Sequence, residues 1–219
     1  MIAKELASSF VVLKTSDSGQ AALSLMEELK ISHLPIVNNE EFLGLISQTD
    51  IYNLNSPDEP IGNHILSVAK PFVYQDQNIF EVIRLMSEQK LTLLPVLDNN
   101  SKYIGAISIS NLVYQFSKVS AVENPGGIIT LELNQNDYSL SEIAQIIESN
   151  DAKVLSLFVS SFPDSTKLEI TIKLNKMDLR SVLQTFYRYN YNVTASQTPE
   201  EYNDSLKERF DSLMNYLKI

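Results

Sequence analysis

The sequence predicts an α+β protein in which a β-α-β-β-α unit occurs twice, a β-α-β-β-α-β unit follows, and a helix closes the chain. Three observations carry this prediction. Residues 25–37 (LMEELKISHLPIV) align on residues 85–97 (LMSEQKLTLLPVL) without a gap, each pair 60 positions apart, and a duplicated unit fixes the architecture before any single element does. Apolar residues recur at i, i+3, i+4 and i+7 in Ala22, Leu25, Met26 and Leu29, and again in Ile79, Val82, Ile83 and Met86, the spacing of one helix face. Leu168-Glu169-Ile170-Thr171-Ile172-Lys173-Leu174 alternates apolar with polar, the period of a half-buried strand.

Within each repeat the elements follow in one order. A lead-in (residues 3–8 and 62–68) precedes a short strand, Phe10-Val11-Val12-Leu13 or Phe72-Val73-Tyr74, and then the amphipathic helix. Leu34-Pro35-Ile36-Val37 and Leu94-Pro95-Val96-Leu97 are brief buried strands, expected to begin at the proline because it has no N–H for a ladder. Asn38-Asn39-Glu40-Glu41 and Asp98-Asn99-Asn100-Ser101 are turn-forming. One extra residue in the second turn brings Gly105-Ala106-Ile107-Ser108 onto Gly44-Leu45-Ile46-Ser47 at a spacing of 61. A third strand therefore runs to each serine, where the last helix of the repeat opens.

The repeat stops at Phe116, and residues 120–127 (SAVENPGG) read as a linker. Ile129, Leu131 and Leu133 then alternate as a strand. Ser139-Leu140-Ser141-Glu142 has the spacing of a capping box ahead of a stripe at Leu140, Ile143, Ala144 and Ile147. A strand over residues 153–162, a turn at Phe162-Pro163-Asp164-Ser165, the alternating strand, a helix marked by Leu179, Val182, Leu183 and Phe186, and a short strand over residues 190–194 complete a ferredoxin-like β-α-β-β-α-β order. Thr198-Pro199-Glu200-Glu201 opens a last helix, with Tyr202, Leu206, Phe210, Leu213 and Leu217 on one face. The expected divisions are residues 1–60, 61–120, 126–196 and 198–219.

Composition narrows the function. The formal charge is −10, from 27 acids against 17 bases, and no basic cluster is present to track a phosphate backbone, so nucleic acid is not an expected partner. Cysteine is absent and only His33 and His64 supply imidazoles, which leaves no thiolate chemistry and little for a metal centre or a histidine relay. No acid is placed beside a histidine at catalytic spacing, so no enzyme activity is expected. The opening Met1-Ile2-Ala3-Lys4-Glu5-Leu6 lacks the layout of a signal peptide, and no apolar run reaches the roughly 20 residues of a membrane span. The expectation is a cytoplasmic protein without a membrane partner.

The stretch Gly44-Leu45-Ile46-Ser47-Gln48-Thr49-Asp50 carries the most chemistry. It sets a hydroxyl and a carboxylate at a helix start, where unpaired N–H groups suit phosphate and a carboxylate can accept both hydroxyls of a ribose. The same Ser-x-x-Asp spacing is also a capping pattern that satisfies the helix's own N–H groups. Its recurrence beside a Leu-Pro strand is what favours a ligand.

His33-Leu34-Pro35-Ile36-Val37 with Gly44-x-x-Ser47-x-x-Asp50, repeated as Leu93-Leu94-Pro95-Val96-Leu97 with Gly105-x-x-Ser108-x-x-Asn111, resembles the CBS domain in its usual tandem arrangement, the Bateman module. The resemblance covers about the first 120 residues. It implies two units about a pseudo-twofold axis and two clefts that take adenine nucleotides such as AMP, ADP, ATP or S-adenosylmethionine. Carried onto this sequence it nominates Asp50, Ser47, Thr49 and His33, with Lys70, Leu91 and Thr92 from the opposite repeat. A weaker second site falls at Ser108, Ser110 and Asn111, where Asn111 replaces the acid and Leu93 replaces His33.

The following β-α-β-β-α-β unit resembles an ACT domain by topology, as in CBS–ACT proteins of the acetoin-utilisation type. Asn136-Asp137-Tyr138-Ser139-Leu140 lacks the glycine turn that amino-acid-binding ACT domains carry, so pairing through the sheet edge is the role expected of it. The implied function is a non-catalytic regulatory module, homodimeric, requiring no cofactor, that senses an adenine nucleotide and acts on a client protein. The alternatives are an oligomeric scaffold with degenerate sites and an ACT-type amino-acid sensor.

Overall fold

A computed structural model describes residues 1–64 and 69–197. The chain forms two compact units, residues 1–116 and 117–219. The terminal helix expected from Tyr202 to Leu217, and most of the second lead-in, lie outside the described residues.

The first unit opens with a short helix α1 (Ala3–Leu6), then α2 (Gly19–Leu29), β1 (His33–Asn38), β2 (Glu41–Ser47) and α3 (Gln48–Tyr52). The second repeat supplies β3 (Val73–Tyr74), α4 (Ile79–Glu88), β4 (Leu93–Leu97), β5 (Tyr103–Ser108) and α5 (Ile109–Val119). β1 pairs with β2 and β4 with β5, both antiparallel, and β3 lies parallel to β4. The repeat is visible in the backbone: α2 and α4 are followed by left-handed Lys30 (φ 55°) and Lys90 (φ 52°). Ile31 N–H then reaches Met26 O as Leu91 N–H reaches Met86 O. The buried stripe of α2 centres on Ala22 and Met26, and that of α4 on Ile79, Val82 and Met86.

The lead-in does not pack on its own repeat. Ala3 and Leu6 of α1 are buried in the core of the second repeat, with Val82, Met86, Leu94 and Ile107. Ala3 N–H and Lys4 N–H donate to Gln77 O and Gln75 O, and Ser8 exchanges both backbone bonds with Ala106 on β5. Ala69, 61 positions after Ser8, likewise accepts from Leu45 N–H on β2 of the first repeat. This crossing explains why the strand expected over residues 10–13 shrinks to one parallel bridge, Leu13 to Ile36. The chain is held on β5 at Ser8 and must cross the intervening residues before it can pair with β1.

Gly105 takes φ +153° where this crossing is tightest, and a Cβ there would lie 2.7 Å from Ser8 O. Asn111 closes the same contact: its Nδ2 donates to Leu6 O at 2.7 Å while its own N–H is capped by Ser108 Oγ at 3.2 Å. The prolines stand inside their strands rather than at the start. Pro35 is third in β1, and its C=O accepts Leu13 N–H. N and C=O of one residue face the same side of a strand, so the absent N–H points past the end of the Leu13 bridge and no ladder bond is lost.

The second unit contains β6 (Ile128–Asn134), α6 (Leu140–Glu148), β7 (Val154–Ser161), β8 (Lys167–Leu174), α7 (Arg180–Arg188) and β9 (Asn192–Gln197). The sheet order is β7-β8-β6-β9, antiparallel throughout, which is the ferredoxin-like arrangement. Ile129, Leu131, Ile170, Ile172 and Leu174 face Ile143, Ile147, Val182 and Phe186 in one core.

Two local expectations are corrected here. The Ser139 Oγ caps Glu142 N–H, but Glu142 does not complete the reciprocal box: its carboxylate accepts the Tyr191 hydroxyl at 2.9 Å, because β9 brings that phenol over the helix start. Gly126 and Gly127 are not free linker residues. Both are buried, Leu174 N–H donates to Gly127 O, and a Cβ on Gly126 (φ +155°) would fall 1.8 Å from Leu174 O.

Gly126→Ala is expected to destabilise the second unit by roughly 2–4 kcal/mol, through backbone strain and displacement of β8; urea denaturation followed by circular dichroism measures it. Asn111→Asp replaces the amide that donates to Leu6 O with an acceptor and should cost about 1–3 kcal/mol at neutral pH. Its deficit relative to the parent chain should shrink as pH falls through the carboxylate range, since the protonated carboxyl regains a donor.

Candidate functional site

The site is built where β1, α3 and the start of β4 meet. Ser47 is the last residue of β2 and pairs with His33, the first of β1, so the strand hairpin fixes the serine and the imidazole side by side. The next residues turn into α3, whose N-cap is Ser47. Asp50 N–H donates to Ser47 Oγ at 3.1 Å, while Ser47 N–H and Ser47 Oγ donate to Asp50 Oδ2 at 2.8 and 2.7 Å. The capping box is therefore closed, and it consumes one carboxylate oxygen. Oδ1 takes no hydrogen bond among the described residues. α3 is only five residues long, so Asp50 rather than a long helix end is the chemical feature here.

The second repeat completes the site through Thr92, the residue before β4. Its Oγ1 accepts Ser32 N–H at 2.9 Å and lies 3.0 Å from His33 Nδ1, and its backbone N–H donates to the same Nδ1 at 3.3 Å. The amide N–H of Thr92 can only donate, so Nδ1 must carry the lone pair and the ring proton sits on Nε2. Burial holds the His33 pKa below its ordinary 6.5, and the Asp50 carboxylate opposes that shift. His33 thus enters the site as a neutral ring with an Nε2–H donor, not as a fixed cation.

The nominated residues fall into three groups. Asp50, Ser47, His33 and Thr92 are brought together. Thr49 and Lys70 are exposed, and Lys70 follows the residue whose carbonyl is held by β2. Leu91 is 7% exposed and packs in the core of its own repeat, so its side chain is spent on stability. In the second repeat Ser108 Oγ lies 3.1 Å from Ser110 Oγ, and Asn111 is committed to Leu6 O.

Sequence reasoning missed Ser32. Its N–H binds Thr92 and its C=O accepts Gln48 N–H at 3.0 Å, matched across the pseudo-twofold by Ile109 N–H on Thr92 O at 3.0 Å. The signal was available, since Ser32 and Thr92 are aligned hydroxyl residues in the 60-residue repeat. Among the described residues no group of three or more His, Cys, Asp or Glu could hold a metal ion, and no helix is long and apolar enough to cross a membrane.

Comparison with known proteins places this geometry. The family model for the CBS domain matches residues 3–55 and 65–118. A homoserine O-acetyltransferase of Methanococcus vannielii is 31% identical over 111 residues, 48% of this chain, and the match spans only 22% of that protein's length. A putative acetoin utilization protein from Vibrio cholerae is similar in structure at 23% identity, with a TM-score of 0.49 over 56% of this chain and 95% of that one. CBSX2 from Arabidopsis thaliana, solved in complex with AMP, is similar at 23% identity with a TM-score of 0.47, over 54% of this chain and 97% of that one. The matched segments coincide with the two halves of the duplication, and their shared strands and helices pack as one unit: the N-terminal half of this chain is a tandem pair of CBS domains, a Bateman module.

Proposed function

We propose that the chain is a non-catalytic regulatory module that binds an adenine nucleotide in the cleft beside Asp50 and passes that state to a partner. One observation carries the reading: among the described residues the Asp50 carboxylate keeps one oxygen unbonded, next to a seam where side chains of both repeats meet. A ribose hydroxyl donates to that oxygen, Ser47 and Thr49 stand beside it, and Lys70 supplies a cation for phosphate. The neutral His33 ring offers a donor without a charge. AMP, ADP, ATP and S-adenosylmethionine share the adenosine that such a site recognises.

A ligand that touches both repeats shifts their joint only as far as it prefers one arrangement. Its effect therefore depends on the Thr92 side of the cleft as much as on Asp50. The pseudo-equivalent position offers Asn111, whose amide is engaged by Leu6 O, so this reading assigns one nucleotide per chain. The second unit has the topology of an ACT domain, with no glycine between Asn136 and Leu140. Its assigned role is pairing with a second copy through the sheet edge, as a homodimer that presents the module to a client protein.

A second reading, an assembly scaffold without a ligand, is favoured by the closed Ser47–Asp50 box, which leaves the site stable when empty. Thermal denaturation with AMP, ADP, ATP and S-adenosylmethionine separates the two. A nucleotide at about a hundred times its Kd stabilises the folded unit by roughly 2.7 kcal/mol and raises its midpoint by several degrees. Asp50→Ala should remove that shift, while Asn111→Ala, compared with its own ligand-free midpoint, should keep it. No shift with any of the four would leave the scaffold.

A further inference from the structure

Where Ser32, His33 and Thr92 meet between the repeats, one titratable group among the described residues reaches across. His33 belongs to the first repeat, and both donors on its Nδ1, the Thr92 hydroxyl and the Thr92 amide, belong to the second. The arrangement is polar in one direction. Ser32 N–H occupies an acceptor site on Thr92 Oγ1, so the single proton of that hydroxyl is free to point at Nδ1. Of the three contacts, the Thr92 amide bond is the one that needs a lone pair on Nδ1; the Thr92 hydroxyl can meet that nitrogen as donor or acceptor and keep Ser32 N–H in either case.

We propose that His33 is a proton-operated latch between the two CBS repeats: neutral, it accepts the Thr92 amide across the seam; protonated, it faces that amide with a second donor and releases it. The proton comes from solvent and goes to Nδ1. The Thr92 hydroxyl then turns from donor to acceptor, meeting Nδ1–H with its second lone pair while the first keeps Ser32 N–H. Thr92 N–H loses its partner altogether.

Several elements pack near this group: α2, packed on β1, carries Glu27 and Glu28 with Lys30 after it, and none of the three is among the causes that move the His33 pKa. β4 carries no titratable side chain, and on β2 the one acid, Glu41, pairs with Asn38 at the opposite end of the hairpin from His33. On α3 the candidates are Asp50 and Tyr52, and Asp50 is the charge whose field reaches the ring, favouring protonation against the larger effect of burial. The second repeat has Leu93 where the first has His33, so there is one latch and not a symmetric pair. That asymmetry gives the joint a direction in which it can open.

The sign follows from linkage. His33 is harder to protonate folded than unfolded, so the latch contributes its stability in full above pH 6.5 and loses it as pH falls below that value toward the folded pKa. A nucleotide phosphate beside the ring would favour the proton instead. On the reading of the cleft given above, AMP would then bind more tightly below pH 6.5 and take up a proton as it binds.

Nitrogen-detected NMR of the full chain tests this directly, since His33 and His64 are the only histidines. At pH 8 the His33 ring should be the Nε2–H tautomer, with a titration midpoint below 6.5. Thr92 amide protection, corrected for intrinsic exchange, should fall by about tenfold with that same midpoint. His33→Asn keeps an acceptor near the Nδ1 position without a titrating group, and should abolish the pH dependence of Thr92 while leaving the chain folded. An Nδ1–H tautomer, or a Thr92 amide that ignores the His33 titration, overturns the latch. Calorimetry with AMP in buffers of different ionisation enthalpy reads the coupled arm: binding without proton uptake refutes the coupling and leaves the nucleotide reading standing. Absence of binding refutes that reading and leaves the latch to the NMR of the free chain.

Discussion

The N-terminal unit depends on an exchange. The first repeat gives its lead-in to the second, where Ser8 is hydrogen-bonded to β5, and Ala69, just past the second lead-in, is hydrogen-bonded to β2 in the first. Neither half of the duplication therefore closes its own sheet or core. The apolar residues of α1, and Val37, Phe42 and Leu45 from β1 and β2, are buried together with α4, β4 and β5. Separating the repeats would expose that shared core and break backbone bonds on both sides, so the cost of parting them is a folding cost rather than that of a small surface contact.

The same exchange decides what each cleft can do. In the second repeat the crossing lead-in delivers Leu6 O to the position facing residue 111, and an amide is the side chain that can donate to it. A carboxylate there would set two acceptors against each other. The replacement of the acid by Asn111 is thus explained by packing. In the first repeat the bonds of Asp50 to Ser47 hold the α3 cap, and among the described residues Oδ1 takes no hydrogen bond.

Polar contacts across the joint are few and directional. The hairpin tips meet through Glu41 and Lys102 in a backbone bridge, with Tyr103 N–H on Glu40 O and an exposed Lys102–Glu40 ion pair. Such an exposed pair adds little, and the backbone bonds carry that end. At the other end Ser32, His33 and Thr92 form the seam. Within the second repeat the Tyr103 hydroxyl is buried without a partner among the described residues, and burial pushes its pKa up to about 12. It therefore adds bulk to the core but no bond.

The sequence by itself determined everything that repeats over short distances. The stripes of α2 and α4, the alternation of β8 and the Ser47–Asp50 cap are written in residues a few positions apart, where backbone geometry alone ties spacing to structure, and the 60-residue duplication shows as one such set of patterns written twice. It also pointed to Asp50, Ser47, His33 and Thr92, which the fold brings together. Tertiary structure decided the rest: the crossed lead-ins, the burial of Gly126 and Gly127, the transfer of Glu142 from its cap to Tyr191, and the neutral state of His33. Each of these depends on a partner 24 to 105 positions away. No local pattern encodes such a partner, because it is the packing of whole elements that brings the two groups within reach.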